Sequence, residues 1–139
     1  MQLQFTIPEL QEYLHEVFPQ MEGKFTILEM EPLHMRVQMQ TGGADLRPGG
    51  TVSGPTLFTL ADCAFYLATL AMIGREALTV TTSCSIDFMR KPEPGMLLAE
   101  TRILKLGKVL SVGDVLIYSE GNEKPVARAN LTYSIPPKR

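Results

Sequence analysis

The run from Pro55 to Ile73 (PTLFTLADCAFYLATLAMI) constrains this chain more than any other stretch, because it holds a single charged side chain, Asp62. A helix that is apolar on every side must be enclosed, by protein or by lipid. The run is nearly long enough to cross a bilayer. A carboxylate near its centre, however, costs about 2.5–3.5 kcal/mol on insertion scales. Thr56, Thr59 and Thr69 add further polarity, and no second apolar run exists to partner it. The expectation is a helix from about Gly54 to Met72, buried all round by protein, with no membrane partner. Ala61, Ala64, Ala68 and Ala71 recur at three- and four-residue spacing, a flat ridge that lets such a helix approach a sheet closely.

The rest of the chain supplies the enclosure. Ile7, Leu10, Leu14, Val17 and Phe18 form a helical stripe, with Pro8 suited to a first turn and Pro19 ending the helix. Lys24 to Glu31 and Leu33 to Gln40 alternate as strands, with Leu33, Met35, Val37 and Met39 on one face. After Gly74 the pattern is all strand: Leu78 to Arg90, Met96 to Leu106, Val109 to Ser119 and Pro125 to Ile135. Turns are read at Lys91 to Gly95, Gly107-Lys108 and Glu120 to Lys124. The order α, β, β, long α, then four strands predicts an α+β domain over residues 1–139, an antiparallel sheet wrapped around one long helix.

Charge and cysteine content exclude several functions. With 139 residues, net charge −2 and no basic run, non-specific nucleic-acid binding is not expected. Cys63 and Cys84 lie in apolar segments and read as reduced core thiols of a cytoplasmic protein. The opening MQLQFTIPELQEYL lacks the pattern of a secretory signal. Two separated histidines, His15 and His34, and two separated cysteines make neither a metal site nor a catalytic triad. Gly49 and Gly50 are not followed by the G-K-[ST] of a phosphate loop. No cofactor is expected.

What remains is the junction of loop and helix. The segment Leu46 to Pro55 (LRPGGTVSGP) delivers backbone N–H groups to a helix start, and a buried-looking acid follows two turns later. That combination suits acyl transfer, which needs a polarised carbonyl and a base or nucleophile. Gly54 can present its N–H to a carbonyl oxygen, aided by the helix dipole. Pro55 has no N–H and cannot be a second donor. Eight residues of helix span about 12 Å, so Gly54 and Asp62 of one chain cannot meet at one carbonyl. If both act, Asp62 must come from a neighbouring subunit, which predicts a homodimer. The alternative for Asp62 is a buried acid capped by hydroxyls, for instance that of Tyr66. Thr81 sits on a strand whose alternate residues Thr79, Thr81, Ser83, Ser85 and Asp87 read as one polar face. Ser53 reads first as a helix N-cap and second as a thioester contact. Arg47 has three open roles: phosphate contact, pairing with an acid such as Asp45, or gating.

The order of elements and the central motif resemble the hotdog fold, specifically the PaaI-like acyl-CoA thioesterase family. That family's N-x-x-G-T-V-H-G-G corresponds to Arg47-Pro48-Gly49-Gly50-Thr51-Val52-Ser53-Gly54-Pro55, followed by Leu60-Ala61-Asp62. Its later strand corresponds to Val80 through Pro92 (VTTSCSIDFMRKP), and Lys105 to Lys108 and Val126 to Ala129 fit its late strands. The family's Asn, His and second Gly are here Arg47, Ser53 and Pro55. The resemblance, covering roughly Phe25 to Ile135, implies hydrolysis of an acyl- or aryl-acyl-CoA to free acid and CoA. It implies Asp62 as base or nucleophile, Gly54 N–H polarising the carbonyl, and Thr81 orienting water or Asp62. It also implies a homodimer, as a dimer of dimers, and contacts to substrate from Arg47, Ser53, Pro55 and Thr82. Arg90, Lys91, Lys105 and Lys108, at strand ends, are candidates for the anionic end of CoA. The rival expectations are a non-catalytic acyl-CoA or acyl-carrier binding protein and, last, a hydratase, which would need a His beside the central helix.

Overall fold

Gly54–Ile73 forms the long helix, and the physics of its ends explains where it starts and stops. Ser53 takes extended backbone angles and its Oγ accepts from the Thr56 N–H, while Pro55 fills the first turn. Gly74, at φ 94°, ends the helix in a conformation that L side chains rarely adopt. The computed structural model describes residues 2–21 and 23–137. Its described elements, in chain order, are α1 (Ile7–Val17), a 3₁₀ turn (Pro19–Met21), β1 (Phe25–Glu31), β2 (His34–Gln40), a second 3₁₀ turn (Gly43–Asp45), α2 (Gly54–Ile73), β3 (Val80–Phe88), β4 (Met96–Leu106), β5 (Leu110–Ser119) and β6 (Ala127–Ser134).

All six strands lie in one sheet, in the order β1-β2-β4-β5-β6-β3, every neighbouring pair antiparallel. The sheet curls around α2 in the α+β arrangement expected from the element order, which is the hotdog fold that the resemblance implied. The alanine ridge of Ala61, Ala64, Ala68 and Ala71 is buried, as are Leu57, Leu60, Phe65, Leu67 and Leu70. They meet the inward residues Met35, Val37 and Met39 of β2, Leu97 and Ala99 of β4, Val115 and Ile117 of β5, and Leu131 of β6 in one hydrophobic core. Full burial of each Leu or Phe stabilises the fold by about 1.5–3 kcal/mol. Among the described residues α2 alone has the length and hydropathy of a membrane span, and 78% of that window is buried inside the protein. Enclosure by the sheet thus meets the demand that the sequence made.

Helix α1 is capped at Thr6, whose Oγ1 accepts from the Glu9 N–H while the Glu9 carboxylate accepts from the Thr6 N–H. It lays Leu10, Tyr13 and Leu14 into the core. Tyr13 and Phe5 stack at 5.6 Å, and the Arg75 guanidinium lies over both rings.

One part of the strand reading needs correction. Thr79, Thr81, Ser83, Ser85 and Asp87 do not share a face. The register of β3 against β6 shifts between Thr81 and Ser83, a bulge at Thr82. Before it Thr79 and Thr81 point inward; after it Cys84 and Ile86 do, and Ser83, Ser85 and Asp87 are exposed. One extra residue exchanges the two faces.

Candidate active site

Asp62 sits on α2 flanked by buried neighbours, Ala61 and Cys63, and is itself half-buried. Two hydroxyls converge on its side chain. The Thr81 Oγ1 donates to Asp62 Oδ1 at 2.6 Å, and the Tyr133 hydroxyl approaches the same oxygen at 2.7 Å. The Tyr133 hydroxyl also lies 2.8 Å from the main-chain carbonyl oxygen of Asp62, so its one proton is shared between two acceptors. Capping of Asp62 by Tyr66 does not occur: the Tyr66 hydroxyl donates to the Ala77 carbonyl at 2.9 Å. Burial, and then the charge of Asp62, push the Tyr133 phenol far above its ordinary pKa. The same two causes raise the Cys63 thiol to about 12, which keeps it neutral and unreactive.

Asp62, Thr81 and Tyr133 open into a cavity of about 630 Å³. Its other walls are largely apolar: Val17, Phe18 and Met21 from the end of α1 and the turn after it, Phe58 and Tyr66 from α2, and Val80 from β3.

A second cavity, of about 490 Å³, lies at the N-terminus of α2. Arg47, Gly54, Arg90 and Lys91 line it, with Phe88, Met89 and Pro92. Gly54 is the first helical residue, so its N–H has no intrahelical acceptor. The Phe88 ring packs over it: a Cβ built on Gly54 would stand 3.3 Å from that ring. The loop before it turns through Gly49 and Gly50 at φ 102° and 82°, and is closed by Arg47 N–H to the Thr51 carbonyl at 2.8 Å. Asp45 ties the loop to the helix, accepting from the Gly42 N–H at 2.8 Å and the Thr56 Oγ1 at 3.1 Å. Its carboxylate is therefore not a partner of Arg47, which makes no ion pair with any described residue. The Ser53 Oγ caps the helix and bonds the Thr56 Oγ1 at 3.0 Å.

The structure thus brings Arg47, Gly54, Arg90 and Lys91 together, and Asp62 with Thr81, as two separate groups on one chain. Pro55 follows Gly54 in the first turn and is exposed. Arg90 donates to the Pro125 carbonyl at 2.7 Å. Thr82, the bulge residue, turns away and donates to the Thr132 carbonyl at 3.1 Å. Lys108 lines a third cavity, with Met72, Val109 and Ile135, at the opposite end of α2 from Gly54. Lys105, on β4, is exposed and lines none of these three cavities. Among the described residues no cluster of His, Cys, Asp and Glu could hold a metal, and both cysteines are free thiols. Sequence reading missed Tyr133 and Phe88. Tyr133 stands 71 positions from Asp62 and nothing in its local pattern marks it. Only the register of β6 against β3, which sets Tyr133 opposite Thr81, reveals it.

The profile of the thioesterase superfamily matches residues 49–126, more than half of the chain. The chain belongs to that superfamily. Its structure superposes on a proposed thioesterase from Silicibacter sp. TM1040 with TM-score 0.92 and 54% identity, over 99% of this chain and 96% of that one. It is similar to a single-residue variant of the phenylacetic acid degradation protein PaaI of Thermus thermophilus, with TM-score 0.73 and 29% identity over 85% and 99%. A Streptococcus mutans UA159 protein bound to acetyl-CoA gives TM-score 0.75 and 26% identity over 85% and 93%. No curated protein matches the chain.

Proposed function

We propose that this protein is a cytoplasmic acyl-CoA thioesterase that hydrolyses an acyl- or aryl-acyl-CoA to the free acid and CoA. The observation that carries the reading is Asp62: an acid held by two hydroxyls in the wall of a largely apolar cavity. In this reading the acyl group occupies that cavity. Asp62 takes a proton from water as the water oxygen bonds to the carbonyl carbon. The C–S bond then breaks, and the departing thiolate receives the proton from Asp62. Direct attack by the carboxylate, followed by hydrolysis of the resulting anhydride, uses the same group. The Gly54 N–H, at the positive end of the α2 dipole, stabilises the oxyanion. The cations Arg47, Arg90 and Lys91 suit the anionic end of CoA, and the acetyl-CoA in the S. mutans relative supports a CoA ligand.

Two groups eight helical residues apart must come from two chains to act on one carbonyl, so the enzyme is a homodimer in this proposal. β3 is an edge strand, paired only with β6. Val80 and Phe88 at its two ends and Met89 just after it are exposed, as is Phe58 on α2. An unpaired edge flanked by apolar side chains is suited to isologous pairing with a second copy. Such pairing brings Gly54 of one subunit towards Asp62 of the other.

The test is thiol release from acetyl-, octanoyl- and benzoyl-CoA by wild-type protein and Asp62→Asn. Turnover is abolished in the variant while its melting temperature stays within a few degrees of wild type. Wild-type-like turnover in Asp62→Asn removes the mechanism. A second reading, binding of acyl-CoA without hydrolysis, draws on one observation: the Ser53 hydroxyl is committed to the helix cap. It predicts saturable acyl-CoA binding by wild-type protein with no thiol released.

A further inference from the structure

A carboxylate that acts as base or nucleophile uses one oxygen at a time, and the surroundings of Asp62 treat its two oxygens differently. Oδ1 receives Thr81 at 2.6 Å and Tyr133 at 2.7 Å. Oδ2 receives no hydrogen bond from any described residue. Hydroxyl donors stabilise negative charge on the oxygen they touch and occupy its lone pairs, which lowers its reactivity. The undonated oxygen keeps its own.

The two donors are placed by one piece of register. Thr81 and Tyr133 are cross-strand partners of β3 and β6, set just before the bulge at Thr82. The Tyr133 ring is 2% exposed and lies against Phe65 and Tyr66, with centroids at 5.5 and 6.1 Å. Its hydroxyl therefore cannot wander. A buried phenol needs a partner in any case, and the Asp62 main-chain carbonyl at 2.8 Å would satisfy it alone. Its additional approach to the carboxylate means that one hydroxyl references the Asp62 side chain against the backbone of its own helix.

We propose that Tyr133 is a positioning residue of the thioesterase site: with Thr81 it pins Oδ1 of Asp62 and so dedicates Oδ2 to the reaction. The proposal rests on the thioesterase reading above. Tyr133 touches no reacting atom and acts through Asp62. Loss of its hydroxyl frees the carboxylate to rotate about χ2, which misplaces the reacting oxygen while the apolar walls of the cavity that binds the acyl group stay in place. A fault of that kind appears in kcat and not in KM, and small misplacements of reacting groups cost up to about 100-fold in rate.

The experiment compares steady-state thiol release, on whichever of acetyl-, octanoyl- and benzoyl-CoA the wild type turns over fastest, by the wild-type protein, Asp62→Asn, Tyr133→Phe, Thr81→Val and the Tyr133→Phe/Thr81→Val double variant, each with its melting temperature. Tyr133→Phe lowers kcat roughly 10- to 100-fold and leaves KM within about twofold. The double variant loses less than the product of the two single losses, because both hydroxyls hold one oxygen. An active wild type and a dead Asp62→Asn, with unchanged kcat in Tyr133→Phe or its whole effect in KM, overturn the role of Tyr133 and leave the thioesterase reading standing. No thiol release by wild type from any of acetyl-, octanoyl- and benzoyl-CoA, or full turnover in Asp62→Asn, overturns both. If Tyr133→Phe does not fold, 3-fluorotyrosine at position 133 keeps the ring and hydroxyl and alters only the strength of its donation. A changed kcat at constant KM then supports the proposal, and an unchanged kcat overturns it.

Discussion

Asp62 and Cys63 are chain neighbours with opposite fates. Asp62 receives two hydroxyl donors from neighbouring strands of the sheet, whereas Cys63, buried in the wall of the same cavity, is raised to about 12 by burial first and the Asp62 charge second. The raised thiol has a thermodynamic consequence whose sign can be worked out. Below the ordinary cysteine value of 9.0 the thiol is protonated in both folded and unfolded chains, so its contribution to stability is complete. Between 9.0 and about 12 the unfolded chain ionises and the folded one does not. Stability then falls by about 1.4 kcal/mol per pH unit from this group alone. Tyr66, raised by burial to about 12, adds to the loss over the upper part of the same window. Urea titrations of wild type and Cys63→Ala at pH 8 and pH 10.5 isolate the thiol: the stability margin of wild type over the variant shrinks at the higher pH. An equal margin at both values contradicts the assigned burial. At this scale the sequence made Asp62, Gly54 and the reduced cysteines legible, because each stands out from its immediate neighbours. It left Tyr133 invisible, because a tyrosine on an alternating strand looks like any other core aromatic until strand register places it.

Among the elements, period and punctuation carried most of the reading. Met96–Leu106 begins and ends where its alternation does, and Gly54–Ile73 extends the expected helix by one residue. The exception is β3, where alternation put Thr79 and Thr81 on one face with Ser83, Ser85 and Asp87. A bulge adds one residue without any residue type that announces it, so a period-two pattern read along the chain cannot detect the slip. A similar register shift in β4, between Ile103 and Lys105, lies opposite Gly113 of β5. There the need for glycine is steric. A Cβ at Gly113 would overlap the Arg102 carbonyl oxygen and lie 2.6 Å from the Phe65 ring. Phe65 in turn packs on Tyr133. Gly113→Ala is therefore expected to destabilise by about 1–3 kcal/mol or more, through overpacking. A smaller loss of activity should accompany it, through displacement of the ring that supports Tyr133. Denaturant unfolding measures the first effect, and kcat on octanoyl-CoA in the folded fraction measures the second. A wild-type midpoint would show that β4 and β5 can separate at this point without cost.

The whole molecule is where the sequence was most informative and where its argument is most open to test. Helix rise alone separates Gly54 from Asp62, and the structure places them on two distinct cavities of one chain. The sequence could not show that both cavities lie beside an unpaired edge strand, because the position of β3 in the sheet depends on long-range pairing. If the active enzyme is a homodimer with each site built from both subunits, two different inactive chains can repair one another. Asp62→Asn lacks the acid, and Gly54→Val fills the space beneath the Phe88 ring that a Cβ already meets at 3.3 Å. In a dimer formed from one of each, one site carries both defects and the other carries none. Random re-association of equal amounts yields about half mixed dimers, so about one quarter of wild-type specific activity returns. The measurement is thiol release after the two inactive variants are mixed, partly unfolded in urea and refolded together, against each variant refolded alone. A site contained within one chain gives no recovery at any mixing ratio. Recovery that rises and falls with the fraction of mixed dimers assigns Gly54 and Asp62 of every working site to different subunits.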